Sequence, residues 1–160
     1  MVIYIVLSRS MVNYGFKVID NNETEIGSVS GKFMEIEREL TVSERAGDSY
    51  IKAKLGALNT RIDIVSTGKR IILTHRIGMF GSKVDISGIP WVVKGSCNSN
   101  NYKILDKKRI IAKVSATGFF GRKIKVEIED PTEESTVIAI VVAIMAANDA
   151  HATRTAMENC

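Results

Sequence analysis

A nine-residue pattern occurs three times in the chain, in copies that align without gaps, and this repeat limits the possible folds more than any other feature. The copies are Gly56 to Ile64, Gly78 to Ile86 and Gly118 to Val126. Each has a glycine, an apolar residue two positions later, a basic residue five positions later, and then alternating apolar and polar residues. Glycine permits a tight bend or bulge, and alternation is typical of a strand with one buried face. The repeat therefore predicts a turn followed by a β-strand, used several times in one sheet.

The chain ahead of Asp130 follows the same pattern. A weaker copy of the repeat runs from Met34 to Val42, and further alternating segments lie between turn-forming triplets. Those triplets are Asp20-Asn21-Asn22, Ala46-Gly47-Asp48, Thr67-Gly68-Lys69 and Asp106-Lys107-Lys108. Successive repeats leave room for a hairpin each, which predicts about twelve antiparallel strands. Because about eight strands already enclose a space that side chains just fill, a barrel of this size needs a further element inside it.

The longest apolar run, Val137 to Ala147, is predicted to supply that element. As a helix it covers about 16 Å, against about 30 Å for the hydrocarbon core of a bilayer, so it is too short to span a membrane. Asp130 can cap a helix, Pro131 suits the first helical position, and Glu133 can complete a capping box. The sequence therefore predicts a helix from about Pro131 to Asn148 whose apolar part is buried.

Length and composition indicate one globular domain. The chain has 160 residues, of which 45% are hydrophobic and 25% charged, with a net charge of +4. Cys97 and Cys160 are too few for a disulfide framework, and the apolar N-terminus lacks the parts of a signal peptide. We expect a cytoplasmic protein without a transmembrane segment. Its single domain is predicted to cover residues 1–149, followed by a partly flexible tail over residues 150–160.

Several elements together resemble the LURP-one-related family. They are the hairpin series, the Gly-x-Phe-x-x-basic turns, the segment Ile89 to Gly95, and Glu127 to Asp130 leading into an apolar helix closed by Asn148-Asp149. The resemblance covers Tyr4 to Asp149, and the family is similar to the tubby C-terminal domain and the phospholipid scramblases. It implies a mainly β fold: a closed β-barrel of about twelve antiparallel strands around a buried hydrophobic C-terminal α-helix.

What the resemblance implies about function concerns lipids. Tubby-like members bind membrane phosphoinositides through basic surface residues, scramblase-like members associate with membranes, and many LURP-one-related members have no known biochemical activity. The scramblases' palmitoylated cysteine-rich segment and Pro-rich N-terminal region have no counterpart in this sequence, which argues against lipid scrambling. The scramblases' proposed calcium-binding segment is at best echoed by five acidic residues, which a helix cap and strand-face charges explain at least as well. These are Glu127, Glu129, Asp130, Glu133 and Glu134.

Basic residues near the predicted turns are the candidate binding site. They are Arg61, Lys83, Lys107, Lys108, Arg109, Arg122, Lys123 and Lys125. If their turns gather at one barrel end, they form a positive ring that attracts anionic phospholipid headgroups, with about 1 kcal/mol per basic residue near an anionic membrane. The alternative is a solubilising surface, because lysines at edges and turns protect sheets against aggregation and Asp63, Asp85 and Glu127 lie close by in sequence.

The sequence contains no recognisable catalytic or metal-binding constellation. Ser66 to Arg70 resembles a phosphate loop, but Asp63 stands where the first glycine is required. His75 and His151 have no ligand-type neighbours, and Cys97 has no identifiable base. We therefore predict a non-catalytic binding module without a cofactor or metal, whose partner is anionic phospholipid at a membrane surface or another protein. Nucleic acid ranks lower, because the aromatic residues do not interleave with a basic stripe. The alternative is a small-ligand carrier or enzyme that uses an open barrel mouth.

Overall fold

The computed structural model describes residues 1–9, 13–32, 37–44, 49–54, 59–64, 67–78, 81–117 and 123–158. Within these ranges twelve strands form one antiparallel sheet, followed by a C-terminal helix. The strands are β1 (Val2–Arg9), β2 (Asn13–Asp20), β3 (Glu25–Lys32), β4 (Glu37–Glu44), β5 (Ser49–Lys54), β6 (Asn59–Ile64), β7 (Lys69–Gly78), β8 (Gly81–Ser87), β9 (Trp91–Ser96), β10 (Asn101–Asp106), β11 (Arg109–Thr117) and β12 (Lys123–Ile128). The predicted mainly β fold with a C-terminal helix is confirmed.

Alternation of apolar and polar residues determines which face of each strand is buried. In β12, Ile124, Val126 and Ile128 are buried, while the intervening Lys125 and Glu127 remain half-buried on the other face. The other strands that carry a copy of the repeat are β6 and β8, as predicted, and β4 contains the end of the weaker copy. Period-two alternation is therefore a reliable guide to the buried face in these segments.

The predicted turns join neighbouring strands where they can be followed. Asp20 to Asn22 begins the β2–β3 turn, and Asp106 to Lys108 forms the β10–β11 turn, in which Lys107 adopts a left-handed φ of 54°. Thr67 to Lys69 leads into β7. The predicted turn Ala46 to Asp48 lies outside the described residues, as do the glycines that open the first and third copies of the repeat.

The two ends of the sheet are β8 and β9. The hydrogen-bonded order is β8-β7-β6-β5-β4-β3-β2-β1-β12-β11-β10-β9. Residues 81–117 are described throughout, and no backbone ladder joins β8 to β9 within them. Closure of the sheet into a barrel is therefore not confirmed. The two strands nevertheless contact each other, and only residues 88–90 separate them along the chain.

The C-terminal helix begins as predicted but ends later. The Asp130 carboxylate accepts hydrogen bonds from the backbone N–H of Thr132 at 3.0 Å and from its hydroxyl at 2.7 Å. Pro131–Glu133 then form one 3₁₀ turn, and α1 spans Glu134–Glu158. The predicted end at Asn148 is wrong, because neither glycine nor proline follows it, and the alanine-rich sequence beyond favours the helix.

The apolar part of α1 lies in the core. Every side chain from Val137 to Ala146 is buried, and these residues belong to one cluster with the inward-facing side chains of the sheet. The largest fully buried partners from the strands are Phe16, Ile3, Ile5, Ile62, Ile64, Ile71, Leu73, Ile104 and Ile111. A helix that is apolar on all sides has to be covered on all sides, and the strands supply that cover. In the described part of the chain, no helix has the length and hydropathy needed to cross a bilayer.

Candidate functional site

Antiparallel topology divides the sequence-predicted basic residues between the two ends of the sheet. Lys107 to Arg109 lie at the β10–β11 turn. The β11–β12 connection lies at the other end of β11, roughly 27 Å away for a nine-residue strand. The structure brings four of the predicted residues toward that second end: Arg61, Lys83, Lys123 and Lys125. Arg122 lies outside the described residues.

Arg61 shares an acidic partner with Arg70. Its Nε lies 3.1 Å from Asp63 Oδ2, while Arg70 Nε donates to Asp63 Oδ1 at 2.7 Å. The hydrogen bond from Arg70, together with the charges of both guanidinium groups, holds the pKa of Asp63 below its usual value. The positive charge of Arg61 is thus partly offset before any ligand arrives.

The two lysines of β12 also have partners on the protein surface. Lys125 Nζ donates to Glu127 Oε1 at 2.6 Å, a contact that raises the pKa of Lys125 and lowers that of Glu127. Lys123 Nζ lies 4.9 Å from the centroid of the Tyr4 ring, within the range of a cation–π interaction. Both lysines therefore already interact with neighbouring side chains of the sheet.

The basic residues Lys107 to Arg109, at the tip of the β10–β11 hairpin, lie among acidic groups. Arg109 lies 3.7 Å from carboxylate oxygens of both Asp106 and Asp130. Lys107 and Lys108 are exposed at the tip. A shallow surface cleft adjoins this turn, and it carries acidic as well as basic groups. Its lining residues are Lys108, Arg109, Ile110, Glu129, Asp130 and Pro131.

A row of lysines that the sequence did not predict crosses the outer face of β9, β10 and β11. Lys103 lies directly opposite Lys94 on one side and Lys113 on the other. Neighbouring strands are about 4.8 Å apart, and like charges directly opposite each other destabilise a sheet. We call Lys94, Lys103 and Lys113 the lysine row.

Little negative charge offsets the lysine row. Lys113 lies opposite Glu127, whose carboxylate is already bonded to Lys125. Among the side chains that the structure describes, neither Lys94 nor Lys103 forms an ion pair. By contrast, Arg76 and Lys83, opposite each other on β7 and β8, have Asp85 at 2.6 Å from Arg76. The lysine row is therefore a concentrated and weakly compensated positive charge.

Apolar side chains lie beside the lysine row on the same face. Leu105 lies opposite Val92 in β9 and Ile110 in β11. Val92 is 49% exposed, and the other two are half-buried. A register shift in β11 turns both Ile111 and Ala112 into the core and leaves Ile110 on the outer face. We call Val92, Leu105 and Ile110 the apolar row.

Sequence reasoning missed both rows because their members are distant along the chain. Each lysine occupies a polar position of an alternating segment, which predicts exposure but not its neighbours. Which residues lie opposite one another is decided by pairing register, and a one-residue slip would reverse the face of every side chain. The sequence therefore predicts the exposure of each lysine, but it does not predict which residues lie side by side in the two rows.

His75 and Cys97 are both buried, and burial shifts the pKa of each. In the described part of the chain, no three His, Cys, Asp or Glu side chains are arranged to hold a metal ion. His75 is buried with its Nε2 3.5 Å from Thr60 Oγ1, and burial lowers its pKa. Burial raises the pKa of Cys97 to about 11, so its reactive thiolate form is disfavoured.

The strand order, the buried helix and the site surface together define a mainly β protein organised around a C-terminal helix. The family model for LURP-one-related proteins matches residues 2–145, so the chain belongs to the LURP-one-related family and the predicted resemblance is confirmed. It is similar to the uncharacterized protein YxjI of Bacillus subtilis (strain 168). The two are 26% identical over 140 residues, which cover 84% of this chain and 86% of that protein.

Proposed function

We propose that this protein is a non-catalytic binding module whose outer sheet face recognises anionic groups, on phospholipid headgroups or on a protein partner. The lysine row is the observation that carries the proposal. An anion placed over Lys94 and Lys103 would relieve the repulsion between their opposed ammonium groups. The loss of this repulsion would make anion binding more favourable. Such a module would act from the cytoplasm, peripherally at a membrane surface.

A lysine-row variant tests this proposal. The combined Lys94→Gln, Lys103→Gln and Lys113→Gln changes are expected to weaken binding to phosphoinositide vesicles about 100-fold, since each lysine near an anionic membrane contributes about 1 kcal/mol. Vesicle co-sedimentation of the parent and the variant measures this difference in affinity. The parent is also measured at low and at high salt. Binding should fall as salt rises, because salt screens exposed charges.

The matched control removes the same charge at sequence-predicted positions toward the end of the sheet opposite the β10–β11 turn. It combines Arg61→Gln, Lys83→Gln and Lys123→Gln, and it should retain most of the vesicle binding. Loss of binding by the control alone would move the site to that end of the sheet. A parent protein indifferent to lipid charge and salt would rule out lipid as the ligand.

We also propose that β8 and β9 close the sheet into a barrel around α1. Three observations support closure: only residues 88–90 separate the two strands, β8 and β9 contact each other, and the middle of α1 is buried on every side. Hydrogen exchange offers a test. Those β9 amides that face away from β10 should be as protected as central-strand amides, whereas exchange as fast as in turns would exclude a closed barrel.

A small-ligand carrier or enzyme with an open barrel mouth is the second candidate. One observation favours it: the Tyr102 hydroxyl is buried without a hydrogen-bond partner among the described groups. Burial of an unsatisfied hydroxyl is unfavourable, so a bound polar ligand could supply the missing bond. The space available is limited, because Val137 to Ala146 occupy the core. Native mass spectrometry of the purified protein distinguishes the two functions, since a carrier retains a small molecule.

A further inference from the structure

We infer that the protein docks on anionic bilayers side-on, with the lysine row against lipid phosphates and the apolar row entering the headgroup region. The inference rests on the proposed anion recognition and adds the class of target and the orientation. The strands of β9 to β11 would lie flat on the membrane. This differs from docking by a ring of turns at one end of the sheet.

The two rows are parallel and adjacent on one face. Val92 and Lys94 belong to β9, and Leu105 and Lys103 belong to β10. In each strand the apolar and basic members are two residues apart, a distance of roughly 7 Å. A surface that combines basic and apolar side chains can bind at a membrane interface, with the basic residues attracted to anionic lipids and the apolar residues buried among the headgroups.

The exposure of Val92 provides the second line of argument. At 49% it is the most exposed of the large apolar side chains in the described part of the chain. Together with Leu105 and Ile110 it forms a continuous apolar strip on the outer face, and contiguous exposed apolar surface commonly marks a site of interaction with a protein or a membrane. Insertion into a bilayer would remove Val92 from water at the moment when the lysines reach the phosphates.

The apolar row also favours a bilayer over a soluble anion as the ligand. A free phosphate compound needs only the lysine row, and Val92 would contribute nothing to its affinity. A nucleic acid would need exposed rings for base stacking, but Trp91 and Tyr102, the aromatic residues of β9 and β10, are buried. A membrane surface uses both rows together.

The test compares a membrane with its own soluble headgroup. Val92→Ser is expected to weaken binding to vesicles containing phosphatidylinositol 4,5-bisphosphate about tenfold, because a valine side chain is no longer buried in the interface. Its affinity for inositol 1,4,5-trisphosphate, measured by calorimetry, should equal that of the parent. Ile72→Ser is the matched control, since Ile72 is 39% exposed on β7, a strand that carries no member of either row, and its vesicle affinity should not change.

The outcomes separate this inference from the proposed function. If the lysine-row variant loses both ligands while Val92→Ser loses neither, anion recognition stands and insertion is wrong. Equal weakening by Val92→Ser and Ile72→Ser also overturns the inference, because the effect is then not specific to the apolar row. A parent that binds neither vesicles nor the soluble headgroup overturns anionic-lipid recognition itself.

Discussion

The Val141→Asp variant is expected to be unfolded under conditions in which the parent is folded. Val141 lies in the middle of α1 with none of its surface exposed, and its neighbours along the helix are apolar. An unpaired carboxylate at such a position costs several kcal/mol, even if it becomes protonated. That loss is comparable with the whole stability of a typical domain, about 5 to 15 kcal/mol. Ile144→Asp should behave in the same way, since Ile144 is equally buried.

Val92→Asp is the matched control for the helix variants. It makes the same chemical change on the outer face, where the carboxylate remains in water and lies near Lys94. Urea denaturation followed by circular dichroism should give a midpoint close to that of the parent. A Val141→Asp protein that unfolds at the parent midpoint would show that α1 does not form the centre of the core.

Gly88→Ala is expected to lower the free energy of unfolding by roughly 2 to 4 kcal/mol, and the melting temperature by about 5 to 15 °C. Gly88 has a φ of +98°, which L-residues rarely adopt, and an added Cβ would lie 2.2 Å from the carbonyl oxygen of Arg70. That oxygen belongs to the backbone of β7, so the strand or the β8–β9 turn would have to move. Thermal unfolding by differential scanning calorimetry measures the change.

The Gly68→Ala variant is the matched control that distinguishes the cost of backbone strain from the cost of a steric collision. Gly68 also has a positive φ, +65°, but a Cβ there would meet no atom within 4 Å. The expected loss in free energy of unfolding at this position therefore comes only from the left-handed backbone conformation, and it amounts to about 1 to 2 kcal/mol. A Gly88→Ala protein that melts at or above the temperature of Gly68→Ala would show that the β8–β9 turn can move without cost. In that case the approach of Gly88 to β7 does not constrain this end of the sheet.

Much of the local structure could be predicted because its causes are local. The capping residue Asp130, followed by Pro131, marked the start of the C-terminal helix, and the structure confirms the cap through Thr132. Alternation identified the buried faces of β6 and β12. The predicted end of the helix is wrong because Asn148, which can stop a helix, lies within one here. Its side-chain amide donates to the carbonyl of Cys97 at 2.8 Å, a partner that only the fold provides.

The candidate site could not be predicted in the same way. Proximity to turns predicts Arg61 and Lys125 as binding residues, but both have acidic partners in the structure. Lys94 and Lys103 belong to different strands, and nothing in either segment indicates that they lie opposite each other. Turn positions are local properties, whereas charge compensation depends on neighbours across the sheet.

The amino-acid sequence by itself determined the class of fold, the family, and the burial of the apolar helix, because hydrophobic alternation and capping act between residues that are close along the chain. Tertiary structure alone decided which charges stand together. Strand pairing sets Lys94, Lys103 and Lys113 side by side, and the register shift in β11 brings Ile110 to the outer face. Both arise from contacts between strands, whose energies no single segment contains.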